Sequence, residues 1–296
     1  MKCESGLLDG HYPYILAGKG ERLALVLPGS EELLFGIRKF PWMFLRLYVP
    51  LFPPGYRVLI VGYGDIPDGK TAIDIAIDIG KAIKGRFSPD VVLGLSFGGL
   101  VTLALGVVKP RLVKGLIIAS AAHVMSTGGL DMIADWMGRS RKGVSRALFY
   151  SFIDLFKQKR YAFWMKAGIT IAWPVFKRRI NPSTHLVRAY EPTLAIKDKV
   201  RDFLPAIAKP ALVLGGTADQ LFPEAGYREL ASLLPHGVLE LVEGGTHTVL
   251  FENQRDCKGR IAFFLEKGTS RHRQQCPPSG SIVESRIMLS RGWNRP

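Results

Sequence analysis

One serine of the chain stands in a glycine frame that suits nucleophilic chemistry. It is Ser96 in Gly94-Leu95-Ser96-Phe97-Gly98, directly after the apolar run DVVLGLS (90–96) and directly before FGGLVTLALGVVK (97–109). A strand that turns sharply into a helix leaves no room for side chains beside the serine, so glycines stand two residues to either side. The turn lifts the hydroxyl above the carboxyl edge of a sheet, at a helix N-terminus whose free N–H groups favour developing negative charge. The chemistry that suits such a hydroxyl is attack on an acyl carbon. The stretch 91–108 carries no charge, and its length approaches that of a membrane span. Its Gly94-xxx-Gly98 spacing also matches a transmembrane dimer pattern. Against a span, it holds four glycines with Ser96 and Thr102, and it sits inside a regular alternation of strands and helices. A buried strand–turn–helix accounts for the same residues.

A serine hydroxyl is a weak nucleophile and needs a base, which an acid must orient. Of six histidines, only His247 follows a late strand in a glycine-rich turn, VEGGTHTVL. His236 lies in a Leu-Pro-His-Gly turn and reads as structural; His123, at the end of a strand, reads as packed, with a place lining the pocket as its alternative. His11, His185 and His272 have no supporting context. For the acid, Asp219 ends ALVLGGTAD, at the same carboxyl edge. Glu224, in the first turn of the next helix, stays open as a second candidate, although that position gives it an ordinary capping role.

The elements that must position these residues follow a clear rhythm. Strands are expected at 22–29, 56–65, 90–96, 113–120, 209–219 and 237–247. Helices are expected at 70–85, 97–109 and 223–234, with a further helical segment running to Glu266. AIDIAIDI within 70–85 alternates like a strand, but its length and the Gly85 stop favour helix. Strands alternating with helices give an α/β fold, a mostly parallel central sheet covered on both faces. The rhythm breaks between 123 and 209, which is aromatic, basic and helix-like. The expected organisation is a core of 1–122 and 210–267, an inserted helical cap at 123–209, and a disordered tail at 268–296.

The net charge of +15 is concentrated rather than spread. Residues 123–209 hold 16 Lys and Arg against 6 Asp and Glu, and the tail adds five Arg against one Glu. Such a distribution suits a local anionic partner: a membrane surface, an acidic carrier, or an anionic substrate. A plain solvated basic face is the competing reading. The basic residues are tied to long apolar runs, and no recognition motif is present, so no nucleic acid is expected. Cys3, Cys257 and Cys276 fit neither a disulfide framework nor a metal site. No apolar run follows Lys2, so no secretory signal is expected. The expected setting is reducing and cytoplasmic, with peripheral membrane attachment open. GYGDIPDGK (62–70) lacks the spacing of a dinucleotide or phosphate loop, so neither a cofactor nor a metal is expected.

LGLSFGG around the serine, GGTADQLFP around the acid and EGGTHTVLFENQRD around the histidine together resemble the α/β-hydrolase superfamily over about residues 10–267. The order Ser96, Asp219, His247 is the order that fold uses, and 123–209 falls where the family carries its cap. The resemblance implies a serine esterase of the lipase type. It also implies that the backbone N–H groups of Ser30, in Leu27-Pro28-Gly29-Ser30, and of Phe97 form the oxyanion hole. Glu31 and Glu32 follow at once, and a carboxylate that close disfavours an oxyanion.

The cap segment 139–180 carries Phe149, Phe152, Phe156, Phe163, Trp164 and Trp173 among basic clusters. These are expected to be cap core, or else an apolar acyl tunnel with a basic rim. The leading expectation is hydrolysis of carboxylic esters, or thioesters, of medium or long acyl chains through an acyl-enzyme. Carbon–carbon bond hydrolysis, acyl transfer and perhydrolysis remain open on the same residues, because fold and triad do not fix the reaction. A non-catalytic protein docking on an anionic surface is the third reading.

Overall fold

The computed structural model describes residues 3–143, 145–196 and 200–272. Eight strands form one sheet: β1 (Cys3–Leu8), β2 (Tyr12–Ala17), β3 (Arg22–Leu27), β4 (Tyr56–Val61), β5 (Val91–Leu95), β6 (Leu116–Ala119), β7 (Ala211–Gly216) and β8 (Gly237–Val242). Their order in space is β1-β2-β4-β3-β5-β6-β7-β8. The hairpin β1–β2 is antiparallel, β2 pairs antiparallel with β4, and every later pair is parallel. The central strands β5, β6 and β7 are buried at every residue. That is why they read as unbroken apolar runs rather than as alternation.

The register places the strand ends that matter side by side. Leu27 pairs with Gly94, Leu95 with Ala119, and Ala119 with Leu214. The turns after β3, β5, β6 and β7 therefore open along one carboxyl edge, where ligands of open α/β sheets bind.

Helices α1 (Ser30–Phe35) and α2 (Pro41–Tyr48) follow β3, and α3 (Ala72–Ile83) and α4 (Phe97–Val108) pack against each other. The ambiguous AIDIAIDI segment lies in α3. Thr71 caps it reciprocally with Asp74, which satisfies two N–H groups of the first turn. Among the described residues, the α-helices α5 (Thr127–Arg141), α6 (Arg146–Ile153), α7 (Lys159–Phe176) and α8 (Thr184–Ala195) lie between β6 and β7. Ser126 and Ser145 cap α5 and α6 through their side chains. α9 (Glu224–Leu233) lies against β7 and β8, and α10 (Val249–Glu252) leads into α11 (Gln254–His272). That last helix runs into the segment expected as a tail from 268, and residues 273–296 lie outside the described residues.

The inserted segment is tied to α1, to the loop between β4 and α3, and to the start of α3. The Asn181 side chain donates to the carbonyls of Glu32 and Leu33, and its backbone N–H donates to Leu34 O at 2.7 Å. Thr193 of α8 accepts the backbone N–H of Ala72. Arg188 bridges to Asp65 and Asp68.

Candidate active site

The turn from β5 into α4 is as tight as its glycines require. A Cβ on Gly98 would lie 2.0 Å from Leu27 O, and one on Gly94 would lie 2.2 Å from Gly98 O. Ser96 between them holds φ 51°, a left-handed conformation that costs an L-residue strain and is met mainly at functional sites. Its side chain is buried, at 6% exposure.

Ser96 Oγ lies 3.0 Å from His247 Nε2. His247 Nδ1 lies 3.1 Å from Asp219 Oδ2 and 3.2 Å from Oδ1. The loop after β8 delivers the histidine, whose backbone N–H donates to the Gln220 side chain and whose ring stacks beside Phe222. Glu224 instead pairs with Arg228 one turn along α9. The structure thus brings Ser96, His247 and Asp219 together, and it does not bring Glu224 to the histidine.

Asp219 is held from several sides. The N–H groups of Leu221 and Phe222 donate to Oδ1 at 2.7 and 3.0 Å, and the Tyr227 hydroxyl donates to Oδ2 at 2.5 Å. Burial alone would raise its pKa. The His247 charge and these hydrogen bonds more than offset burial and hold the carboxyl below its ordinary value. An ionised, oriented carboxylate fixes one histidine tautomer and stabilises the imidazolium. Tyr227 was not indicated by the sequence; only its place in α9, facing β7, puts its phenol there.

The turn after β3 lies against Ser96, since a Cβ on Gly29 would sit 3.2 Å from Ser96 Cβ. The N–H of Ser30 opens α1 and that of Phe97 opens α4, positions for which a helix supplies no acceptor of its own. Ser30 Oγ is 2.5 Å from the hydroxyl of Tyr190 in α8. Burial pushes the Tyr190 phenol up to about 12, against the hydrogen bond from Ser30, so it stays neutral and can donate. This residue from the inserted helices was missed in the sequence, where nothing marks one tyrosine 160 residues from its partner.

The two glutamates after Ser30 are both hydrogen-bonded inside the protein, with Glu31 beside the Gly29 turn that touches Ser96. Glu31 accepts the Gly29 N–H and the Tyr48 hydroxyl, and burial raises its pKa against those bonds. Glu32 accepts the Tyr63 N–H. Burial lifts it to about 7, against hydrogen bonds from the Tyr63 and Ile37 N–H groups. Both shifts favour the neutral acid, which weakens the repulsion that a carboxylate would exert on a nearby oxyanion.

Glu32 also carries a pH signature. Its folded value lies above the unfolded one of about 4.3, so the folded state binds the proton more tightly. The associated stability is full below the unfolded value and is lost as pH rises through about 7. The loss is roughly 3 kcal/mol over that window. Urea midpoints of the native protein are expected to fall across the window more steeply than those of Glu32→Gln; equal slopes would sink the assignment.

The aromatic residues of the inserted helices divide between two sides. Phe149, Trp173 and Phe176 cluster with Phe35 and Phe40 beside α1, with ring centroids 5.4–6.1 Å apart. Phe152 stacks on Trp136, and Phe156 meets Tyr161. Phe163 and Trp164 face solvent, so they line no tunnel. The helical period of α7 places Ala162, Ile169, Trp173 and Phe176 inward and these two on other sides.

A model of the alpha/beta hydrolase family matches residues 24–257, and the chain belongs to that family. A pimeloyl-[acyl-carrier protein] methyl ester esterase of Xanthomonas axonopodis pv. citri is 27% identical over 209 residues, covering 66% of this chain and 78% of that one. Among solved structures, MGS-M2, an alpha/beta hydrolase enzyme from a Medee basin deep-sea metagenome library, superposes with a TM-score of 0.70 at 16% identity. The match covers 94% of this chain and all of that one. A meta-cleavage product hydrolase from Pseudomonas fluorescens IP01 gives 0.68 at 18% identity, over 89% of this chain and 97% of that one.

Proposed function

We propose that the protein is a serine hydrolase of carboxylic esters with medium or long acyl chains. The observation that carries this reading is the connected line Ser96 Oγ, His247 Nε2, His247 Nδ1, Asp219 at hydrogen-bonding distances on a strained turn. His247 takes the proton of Ser96 as the serine attacks the acyl carbonyl. The N–H groups of Ser30 and Phe97 receive the oxyanion. The alcohol leaves with the proton from His247, and water, activated by the same imidazole, releases the acid. Ester chemistry gains support from the pimeloyl-[acyl-carrier protein] methyl ester esterase relative. That relative also favours an acyl group presented on a carrier, and the basic helices between β6 and β7 fit an anionic partner.

The chain-length preference rests on the aromatic cluster of Phe35, Phe40, Phe149, Trp173 and Phe176, which adjoins the helix carrying Ser30. The helices α5 to α8 act as a cap that moves to admit substrate, because Ser96 and His247 are both nearly covered. The test is turnover of p-nitrophenyl esters of increasing acyl length. kcat/KM is expected to rise with each added methylene pair, since each buried methylene contributes about 0.8 kcal/mol. Hydrolysis confined to acetate would remove the acyl-pocket reading while leaving the esterase.

A further inference from the structure

Helix α7 is amphipathic in the wrong direction for a helix that only packs on its own protein. Its inward side carries Ala162, Ile169, Trp173 and Phe176. Its outward side carries Tyr161, Phe163, Trp164, Ile171 and Val175, of which Trp164 is 71% exposed, Ile171 84% and Val175 67%. At 100° per residue, Trp164, Gly168, Ile171 and Val175 fall on one stripe, and no charged residue interrupts it. The one charge between 161 and 175, Lys166, lies on the opposite side of the helix and pairs with Asp154. A contiguous exposed apolar face of this kind marks an interaction site.

Cations stand at both ends of the face. Lys159 and Arg160 open the helix and Lys177, Arg178 and Arg179 follow it, all exposed. Among the described residues, Arg160, Lys177, Arg178 and Arg179 have no ion-pair partner. The pair at the N-terminus opposes the helix dipole, so local helix stability does not account for it.

From this arrangement we infer that α7 docks flat on an anionic lipid surface, with Trp164, Ile171 and Val175 entering the headgroup–acyl boundary and the terminal cations meeting lipid phosphates. Among the described residues no helix is long and apolar enough to cross a membrane, so the contact is peripheral. An interfacial helix needs an apolar face with Trp or Phe, bordered by Lys and Arg, and here both parts are present. A second copy of the chain fits less well. Pairing α7 with itself in either direction brings cations against cations. An acidic protein would satisfy the cations but leaves the Trp164–Ile171–Val175 stripe without a matching phase.

The inner side of the same helix belongs to the aromatic cluster beside α1. Docking therefore sets that cluster next to the lipid in which long acyl esters reside. This last link rests on the proposed ester hydrolysis; the docking does not.

The test is flotation of the full chain carrying Ser96→Ala, which keeps the lipid unhydrolysed. Vesicles of phosphatidylcholine are compared with vesicles of phosphatidylcholine and phosphatidylglycerol. The protein is expected to float with the anionic vesicles alone, and less at high salt. Trp164→Glu with Ile171→Glu should lower the partition coefficient about tenfold or more. Each of Lys177→Gln, Arg178→Gln and Arg179→Gln should lower it roughly fivefold. With Ile171→Glu alone, the fluorescence blue shift of Trp164 on adding vesicles should also shrink. Unchanged melting of these surface variants shows that the fold is kept. Undiminished flotation of the α7 variants, binding to neutral vesicles alone, or no flotation would overturn the proposal. So would a dimer that the same substitutions dissociate. Flotation needs no turnover, so its outcome is independent of whether esters are hydrolysed.

Discussion

Ser96→Ala is expected to leave a folded protein whose kcat on an ester substrate falls on the order of a million-fold. The size of the effect follows from what is lost. Without Oγ there is no atom 3.0 Å from His247 Nε2 to be deprotonated and to carry the acyl group. The Phe97 and Ser30 N–H groups remain, so a residual rate above the uncatalysed reaction persists. Stability should change by only about 1 kcal/mol, the net value of a hydrogen bond. Alanine adopts φ 51° at the same cost as serine, so backbone strain is neither relieved nor increased. Single-turnover kinetics, labelling by a fluorophosphonate and thermal melting check this together. A loss below about a hundredfold, the scale of a lost oxyanion donor, would rule out the serine as nucleophile and point to direct attack by water. A large loss with the melting temperature also collapsed would instead make Ser96 a structural residue.

The sheet was legible in the sequence where burial on both faces removes polar residues. DVVLGLS, VKGLIIAS and KPALVLGG each contain a central strand. Strand β1 was not, because it is an edge strand with most residues exposed and therefore carries no apolar run. Ser96 could be singled out because steric crowding leaves a pattern. Gly94 and Gly98 stand where a Cβ would approach backbone within about 2 Å. The sequence favoured Asp219, at the end of its strand, over Glu224, but left the second carboxylate open because both follow β7 by a few residues. The choice depends on the turn at 217–222, which wraps one carboxylate in N–H groups and leaves the other to Arg228. Tyr190 and Tyr227 stayed hidden for a different reason. A single tyrosine on a helix looks like core, and only the packing of α8 and α9 shows that its hydroxyl reaches Ser30 or Asp219. The orientation of α7 was likewise beyond the sequence. Aromatic residues lie all round the helix, and its neighbours decide which side is covered.

Asp219→Asn is expected to lower kcat about ten-thousandfold, the effect seen when an orienting carboxylate becomes an amide at unchanged geometry. Asparagine matches aspartate in size, so the loss is electronic. The carboxylate accepts from His247 Nδ1, from the N–H groups of Leu221 and Phe222 and from the Tyr227 hydroxyl. Asparagine has one acceptor oxygen. If that oxygen keeps the two backbone donors, the amide nitrogen faces His247 and Tyr227. It can donate to Nδ1 only by forcing the proton onto Nε2, the atom that must accept from Ser96. The wrong tautomer then dominates and the base is lost, while the substrate-binding surfaces are untouched. kcat should therefore carry the loss, with KM nearly constant. The Tyr227 hydroxyl also loses its acceptor, which should lower stability by about 1–3 kcal/mol in the same variant. Tyr227→Phe with Asp219→Asn should restore part of that stability without restoring turnover. Glu224→Gln serves as the comparison, since that side chain is partly exposed and pairs with Arg228. Its kcat should stay within about threefold of the native value, because surface substitutions away from such networks change little. Equal losses in Asp219→Asn and Glu224→Gln would show that the carboxylate nearest His247 in space is not the one that orients it during turnover.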